Sequence, residues 1–333
     1  MRIIVHGVGA IGGTVAAALA LAGHPVVGIA RGPRLDAIRA GGLLLRTPDK
    51  SAMARFSCVA DPAEVDIRPD DAILLAVKTQ DTAAALERLR AAGVTKQPIF
   101  CMQNGVANER MALRRFPNVH GVTVMMPASY TAPGEVDAFS TPRHGIFEIG
   151  RYPSGNDGAD AELAEALEAA NIAVFATPEV MPGKYGKLLL NLRNVVEAAL
   201  GVNADLDRFG RTLRAEAEAV LTAAGIAWRD VGAGDPRRSQ LMRQAPVGGV
   251  DRAGGSSTQS LARGAGSIET DFLNGEIVLL GRLHGVPTPA NAYFVGLGAR
   301  MARERLRPGS VTAEAIEAGL AAAGVELHTP QRA

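Results

Sequence analysis

The sequence predicts an α/β protein: a parallel sheet with helices on both faces, followed by an all-helical domain. Three observations carry that prediction. The chain opens on a short β-branched run, Arg2-Ile3-Ile4-Val5, which passes through a glycine-rich turn into a helical stretch. Strand-like apolar runs and helical stretches then alternate through residue 176, the pattern of βα units around a parallel sheet. Beyond residue 183 almost every stretch has helical spacing, and the proline-bearing segment 177–183 marks the break. A chain of 333 residues is longer than one core usually supports, so two domains are expected, 1–180 and 181–333.

Composition narrows the function. A net charge of +1 offers no electrostatic case for nucleic acid or an anionic membrane surface. The 2 cysteines, Cys58 and Cys101, stand far apart without partners at metal-ligand spacing, so no metal site is expected and a reducing, cytoplasmic setting suits the chain. The apolar run 15–22 is far shorter than the roughly 20 residues that span a bilayer. The start also lacks the layout of a secretory signal.

Each element follows in order. Residues 2–5 read as a strand buried on both faces. Gly7-Val8-Gly9-Ala10-Ile11-Gly12 has G-x-G-x-x-G spacing where strand gives way to the helix of 14–22. Gly7 makes the tight turn, Gly9 lets the backbone close on a pyrophosphate, and Gly12 lets helix and strand pack. The helix N-terminus adds unpaired N–H groups and a partial positive charge, so these six residues are predicted to hold a dinucleotide. Residues 24–30 form the second strand. Its end carries Arg31 instead of the carboxylate that would bind the ribose 2′-hydroxyl of NAD, which predicts NADP, with Arg34 one turn on.

A short helix at 35–40 precedes smaller strands from 43–46 to 57–59, and 71–77 is again a buried strand. Lys78 follows it, and Asn104 follows the strand of 97–102, so both reach the crevice at the carboxyl ends of the strands. A helix at 82–92 lies between those strands. Strands at 122–126 and 145–150, a hairpin turn at 133–136, a helix at 161–170 and a strand at 173–176 complete the first half. In the second half one helix is predicted over 184–200, with Lys187, Asn191 and Asn194 at i, i+4 and i+7 on one face. Polar groups on so apolar a helix must meet water, a polar partner or a ligand. A helix at 206–224 precedes a Gly-, Arg- and Pro-rich segment, 231–257, which reads as a flap. Helices from near Asp271, at 290–306 and at 313–324 close the chain, and 326–333 is expected to fray.

In this order the motifs Gly7–Gly13, Ala30-Arg31-Gly32, Val77-Lys78, Gln103-Asn104-Gly105, Lys187-Leu188 with Asn191, Ser256-Ser257, Glu269-x-Asp271-x-x-Asn274-Gly275 and Gly285-x-x-x-Pro289-x-Asn291 resemble the ketopantoate reductase (2-dehydropantoate 2-reductase) family. The resemblance covers nearly the whole chain. It implies an N-terminal Rossmann domain and a helical C-terminal domain of the 6-phosphogluconate dehydrogenase-like kind. It further implies NADPH-dependent reduction of 2-dehydropantoate to pantoate, a step of pantothenate biosynthesis. On matching positions it makes Lys187 the general acid and Glu269 the carboxylate that holds the substrate hydroxyl and the Lys. Asn104, Asn191 and Ser257 then bond substrate or nicotinamide ribose, and Lys78 lies close to cofactor and substrate; Glu269 and Asn104 are expected near the cofactor as well. Family analogy also implies a homodimer through the helical domain.

The chain departs from the family on the substrate side. Val195 stands where a second Asn is common, with Asn194 one place earlier as the substrate-binding candidate. Val195-Val196-Glu197 replaces an Asn-Pro, and Ser260 stands where Asp often follows Gln. Two alternatives stay open on sequence: a paralogous NADPH-dependent reductase of another small 2-oxo acid or carbonyl, and a non-catalytic NADP-binding regulator.

Overall fold

The computed structural model describes residues 1–252, 254–264 and 266–327. They divide into two compact units. The first takes residues 1–184 and 230–252, and the second takes 185–229 with the described residues from 254 on.

In chain order the first unit builds β1 (Arg2–His6), α1 (Ala10–Leu21), β2 (Val26–Ile29), α2 (Pro33–Gly41), β3 (Leu43–Arg46), β4 (Ser51–Ala54), β5 (Ser57–Val59), β6 (Asp71–Leu75), α3 (Thr82–Ala91), β7 (Ile99–Cys101), α4 (Asn108–Leu113), β8 (Val119–Met125), β9 (Ala128–Tyr130), β10 (Glu135–Ala138), β11 (Ser140–Pro142), β12 (Ile146–Arg151), α5 (Gly158–Ala169) and β13 (Ala173–Ala176). Its main sheet has 8 strands in the order β13-β12-β8-β7-β6-β1-β2-β5. The pairs are parallel except β8 with β12. Order reverses at β1, which lies between β2 and β6, and that reversal opens the ligand crevice of a Rossmann sheet at the strands' carboxyl ends.

Both sheet faces are covered. Ile3, Val5 and Leu74 pack into one core with α1 and α5, while Ile4, Ile73, Leu75 and Cys101 pack with α3 and α4 on the other face. That explains why the strands read as continuous apolar runs instead of alternating ones. Helix α1 begins at Ala10, inside the glycine motif and ahead of the predicted Thr14, and Gly12 through Leu19 are all buried. A smaller sheet, β4-β3-β10-β9, packs on it, so α1 is apolar all round because it is enclosed all round. Residues 57–59, expected beside the small strands, instead extend the main sheet next to β2.

The helix predicted over 184–200 is two helices, α6 (Val180–Asn191) and α7 (Asn194–Leu200). The break has a cause: the Leu192 carbonyl accepts the Nδ2–H of Asn274 (3.1 Å), which takes it out of the helical ladder. Helix α6 starts in the first unit and ends in the second. The second unit continues through α8 (Asp207–Ala223). Segment 230–252 then returns to the first unit with α9 (Pro236–Leu241) and β14 (Met242–Gln244), and α10 (Ser256–Ala262), α11 (Asn274–His284), α12 (Pro289–Arg303) and α13 (Ala313–Ala322) complete the helical unit.

Residues 231–252, read from sequence as part of a flap, are fastened to the sheet unit. Strand β14 pairs antiparallel with β11. The Arg237 guanidinium donates to Asp235 (2.6 Å) and Glu148 (2.8 Å) and lies 4.7 Å over the Phe175 ring. Those two carboxylates hold its pKa well above the ordinary arginine value. No described helix is long and apolar enough to cross a membrane.

Candidate functional site

The glycine motif divides its labour in the first unit. Gly7 has φ +110°, and a Cβ there would meet the Val77 nitrogen at 2.7 Å. A Cβ on Gly12 would stand 2.1 Å from the Gly7 carbonyl oxygen. These two glycines let strand and helix close on each other. Around Gly9 a Cβ would meet nothing within 4 Å, so this glycine faces open space. No side chain caps α1 and no acidic residue sits in its first turn, which leaves the N–H groups of that turn to an incoming anion. The cradle therefore fits a pyrophosphate. Ala10 and Ile11 are half-buried at its rim, whereas Val8 is buried in the core below and faces the cradle through its backbone alone.

At the end of β2, Arg31 is exposed and Arg34 stacks 3.9 Å over the Tyr130 ring. His6, the last residue of β1, is 3% exposed and its Nδ1 has no hydrogen-bond partner among the described residues. Burial first, then the nearby Arg88 and Arg31 charges, push its pKa down to about 4.

Lys78 and Asn104 are brought together by a buried network. Lys78 leads the 3₁₀ turn Thr79–Asp81 after β6. Thr79 Oγ1 donates to the Asn104 carbonyl (3.4 Å), and Asn108 Nδ2 donates to that carbonyl (3.1 Å) and to Thr79 Oγ1 (3.3 Å). Thr82 Oγ1 donates to Asn108 Oδ1 (2.8 Å), and Gln103 Nε2 to Thr82 Oγ1 (2.7 Å). Asn104 itself is half-buried, followed by Gly105 at φ +78°.

Sequence reasoning missed α4 and, with it, a buried charge pair. Lys184 Nζ lies 2.5 Å from Glu109 Oε1 and donates to the carbonyls of Gln103 (3.0 Å), Cys101 (3.2 Å) and Val122 (3.4 Å). The signal for it in the sequence is slight: Gly121 and Gly150 interrupt apolar strands, and they face each other across β8 and β12.

In the helical unit, Lys187 and Asn191 share α6 one turn apart. Lys187 is half-buried, and Asn191 is buried with its Nδ2 unpartnered among the described residues. The helix break puts Asn194 at the first position of α7, so it does not continue the Lys187–Asn191 face as the periodicity predicted. Instead it sits at the start of α10, where a Cβ on Gly255 would stand 3.6 Å from Asn194 Oδ1. Glu197 Oε1 accepts from the Gly255 nitrogen (2.5 Å) and from Thr258 Oγ1 (2.9 Å), fixing the helix that carries buried Ser257.

Glu269 is buried at the head of the 3₁₀ turn Glu269–Phe272. Two motif asparagines turn out to be scaffold. Asn274 Nδ2 bonds Asn291 Oδ1 (3.1 Å), and Asn291 Nδ2 bonds Glu216 Oε2 (2.8 Å) and the Leu213 carbonyl (3.1 Å). His120, Asp157 and Asp160 also cluster in the first unit, but the two carboxylates form the capping box of α5 and Asp157 Oδ2 binds Arg151 (2.6 Å).

Comparison with known proteins places this geometry. The family model for ketopantoate reductase PanE/ApbA matches residues 3–154, and the model for its C-terminal part matches 181–301. The 2-dehydropantoate 2-reductase of Mesorhizobium japonicum is 29% identical over 340 residues, covering 92% of this chain and 99% of that one. That of Archaeoglobus fulgidus is 26% identical over 305 residues, covering 89% and 96%. Among solved structures, a PanE/ApbA family ketopantoate reductase from Ralstonia eutropha superposes with a TM-score of 0.75 at 29% identity, covering 92% of this chain and 99% of that one. A D-mandelate dehydrogenase bound to NADH and anilino(oxo)acetate shares the fold, with a TM-score of 0.74 at 22% identity over 92% and 99% of the two chains. Since both family models match in sequence order and span most of each unit, the chain belongs to the ketopantoate reductase family, whose members are pyridine-nucleotide-dependent oxidoreductases.

Proposed function

We propose that this protein reduces 2-dehydropantoate to pantoate with NADPH. The observation that carries the reading is the pair on α6: an ammonium one helical turn from a buried asparagine whose Nδ2 has no acceptor among the described residues. A buried amide without a partner costs roughly 1–3 kcal/mol, a cost that a bound oxygen would remove. A nicotinamide cofactor, when bound, would supply the hydride that goes to the ketone carbon.

The chain's own groups do the rest. As negative charge grows on the ketone oxygen, Lys187 stabilises it and gives up a proton to make the hydroxyl. Glu269 keeps Lys187 charged in a site that otherwise desolvates it. Asn104, Asn191, Asn194 and Ser257 hold the substrate's oxygens. The backbone of residues 7–12 holds the pyrophosphate, Lys78 and Asn104 of the sheet unit lie close to the cofactor, and Glu269 of the helical unit is a cofactor contact as well. Arg31, at a strand end without a carboxylate, takes the 2′-phosphate.

One observation favours a second reading, another small 2-oxo acid as substrate. Val195, where the family often has Asn, is a core residue at 1% exposure and offers a substrate nothing polar. A panel of 2-oxo acids assayed with NADPH and with NADH decides. Fastest turnover of 2-dehydropantoate with NADPH supports the proposal, and another acid at the top supports the second reading. No turnover of any would defeat both. In the same assay Lys187→Met should lower kcat by roughly 10²- to 10⁴-fold with cofactor affinity unchanged; an unaltered kcat removes Lys187 as the acid.

A further inference from the structure

We infer that Lys184, through its pair with Glu109, is a positioning residue for Asn104, an inference that rests on Asn104 meeting substrate as proposed above. Lys184 is 2% exposed and Glu109 0%, so both charges are out of water. A buried ion pair is often no more stabilising than well-packed apolar residues, so its presence calls for a use beyond stability.

The bonds show where that use lies. The Lys184 ammonium takes the Gln103 carbonyl just ahead of Asn104, and it pairs with Glu109 in the helix just after. One cation thus grips the 103–109 loop at both ends. The Asn104 carbonyl between them is tied to Asn108 and Thr79. The Cys101 and Val122 carbonyls, on adjacent strands β7 and β8, fix the ammonium to the sheet.

The sheet is also shaped to admit this lysine. A Cβ on Gly121 would stand 2.9 Å from Val180 Cγ1 and 3.5 Å from Lys184 Cδ. Its cross-strand partner Gly150 would put a Cβ 2.0 Å from the Thr177 carbonyl oxygen, just ahead of α6, and 3.3 Å from Val180 Cβ. The two glycines form a notch that seats the first turn of α6, and Lys187 follows one turn later in the same helix. An apolar side chain in that notch would fill space but could not fix the direction of the Gln103 peptide, and the Asn104 side chain is set by that peptide.

Lys184→Met/Glu109→Leu replaces the pair by packing of similar volume, and Glu109→Gln is the milder change should the double variant fail to fold. Hydrogen exchange over residues 102–108 reads the loop directly. We expect exchange at least about tenfold faster with the melting temperature within a few degrees of wild type. We also expect kcat down at least about thirtyfold with the NADPH Kd within about threefold. Unchanged exchange, or faster exchange with an unchanged kcat, would overturn the positioning role. A wild-type enzyme that reduces no 2-oxo acid would overturn the proposed function instead, while the exchange arm still decides whether Lys184 anchors the loop.

Discussion

Asn191 and Lys184 sit on the same helix, yet only one was legible in the sequence. Asn191 shares a face with Lys187, and a polar pair on an apolar helix announces itself. Lys184 reads as one more surface lysine, because its partners lie in distant segments that only the folded sheet collects. Arg31 is proposed as the 2′-phosphate ligand from its offset to the glycine motif. Arg31→Ala should raise the Kd for NADPH at least about tenfold and leave that for NADH nearly unchanged, measured by fluorescence titration; equal losses would contradict a phosphate role. His6 makes a pH prediction. With its folded pKa near 4 and an unfolded value of 6.5, the unfolded chain binds the extra proton between those limits. Stability therefore falls as pH drops from about 6.5 to 4, by up to about 3 kcal/mol. Urea denaturation of His6→Leu across that window should show a flatter profile than wild type.

Among elements, the glycine motif shows the close contacts expected at Gly7 and Gly12, with the helix starting earlier than predicted, and its glycines can be told apart by experiment. Gly9→Ala adds a methyl group to open space, so the fold should keep its melting temperature while cofactor affinity falls about tenfold or more. Gly12→Ala drives a Cβ into the Gly7 carbonyl, and overpacking of that kind costs about 3 kcal/mol, seen as a lower urea midpoint. Periodicity failed at α6. Residues 184–200 have unbroken helical spacing, but the break depends on the Asn274 amide taking the Leu192 carbonyl, and no local pattern reports a bond across 82 positions. The small strands show the same limit. Residues 57–59 look alike whether they pair with the small strands or with β2, and only the fold shows that they pair with β2.

For the whole molecule, alternation of strand and helix was enough to predict a parallel sheet covered on both faces, whereas the ownership of residues 230–252 was illegible. Glycine, arginine and proline suggest a loose loop, but the segment's hold on the sheet unit comes from one guanidinium meeting Asp235, Glu148 and the Phe175 ring. Arg237→Ala removes the Arg237 cation from the Glu148 carboxylate, which is buried at 4% side-chain exposure. The arginine is partly exposed, so the loss should be about 2 kcal/mol, less than for a fully buried pair. Limited proteolysis should then cut within residues 243–252 faster than in wild type; equal cutting rates would show that β14 holds the segment without help. The interleaving also bears on synthesis. A ribosome releases 185–229 before the piece that finishes the sheet unit, and supplies Asn274 and Asn291 only after that. Until then the Leu192 and Leu213 carbonyls await their donors, so from residue 185 until Asn274 and Asn291 are made the nascent chain carries a half-built helical unit, and it completes that unit last.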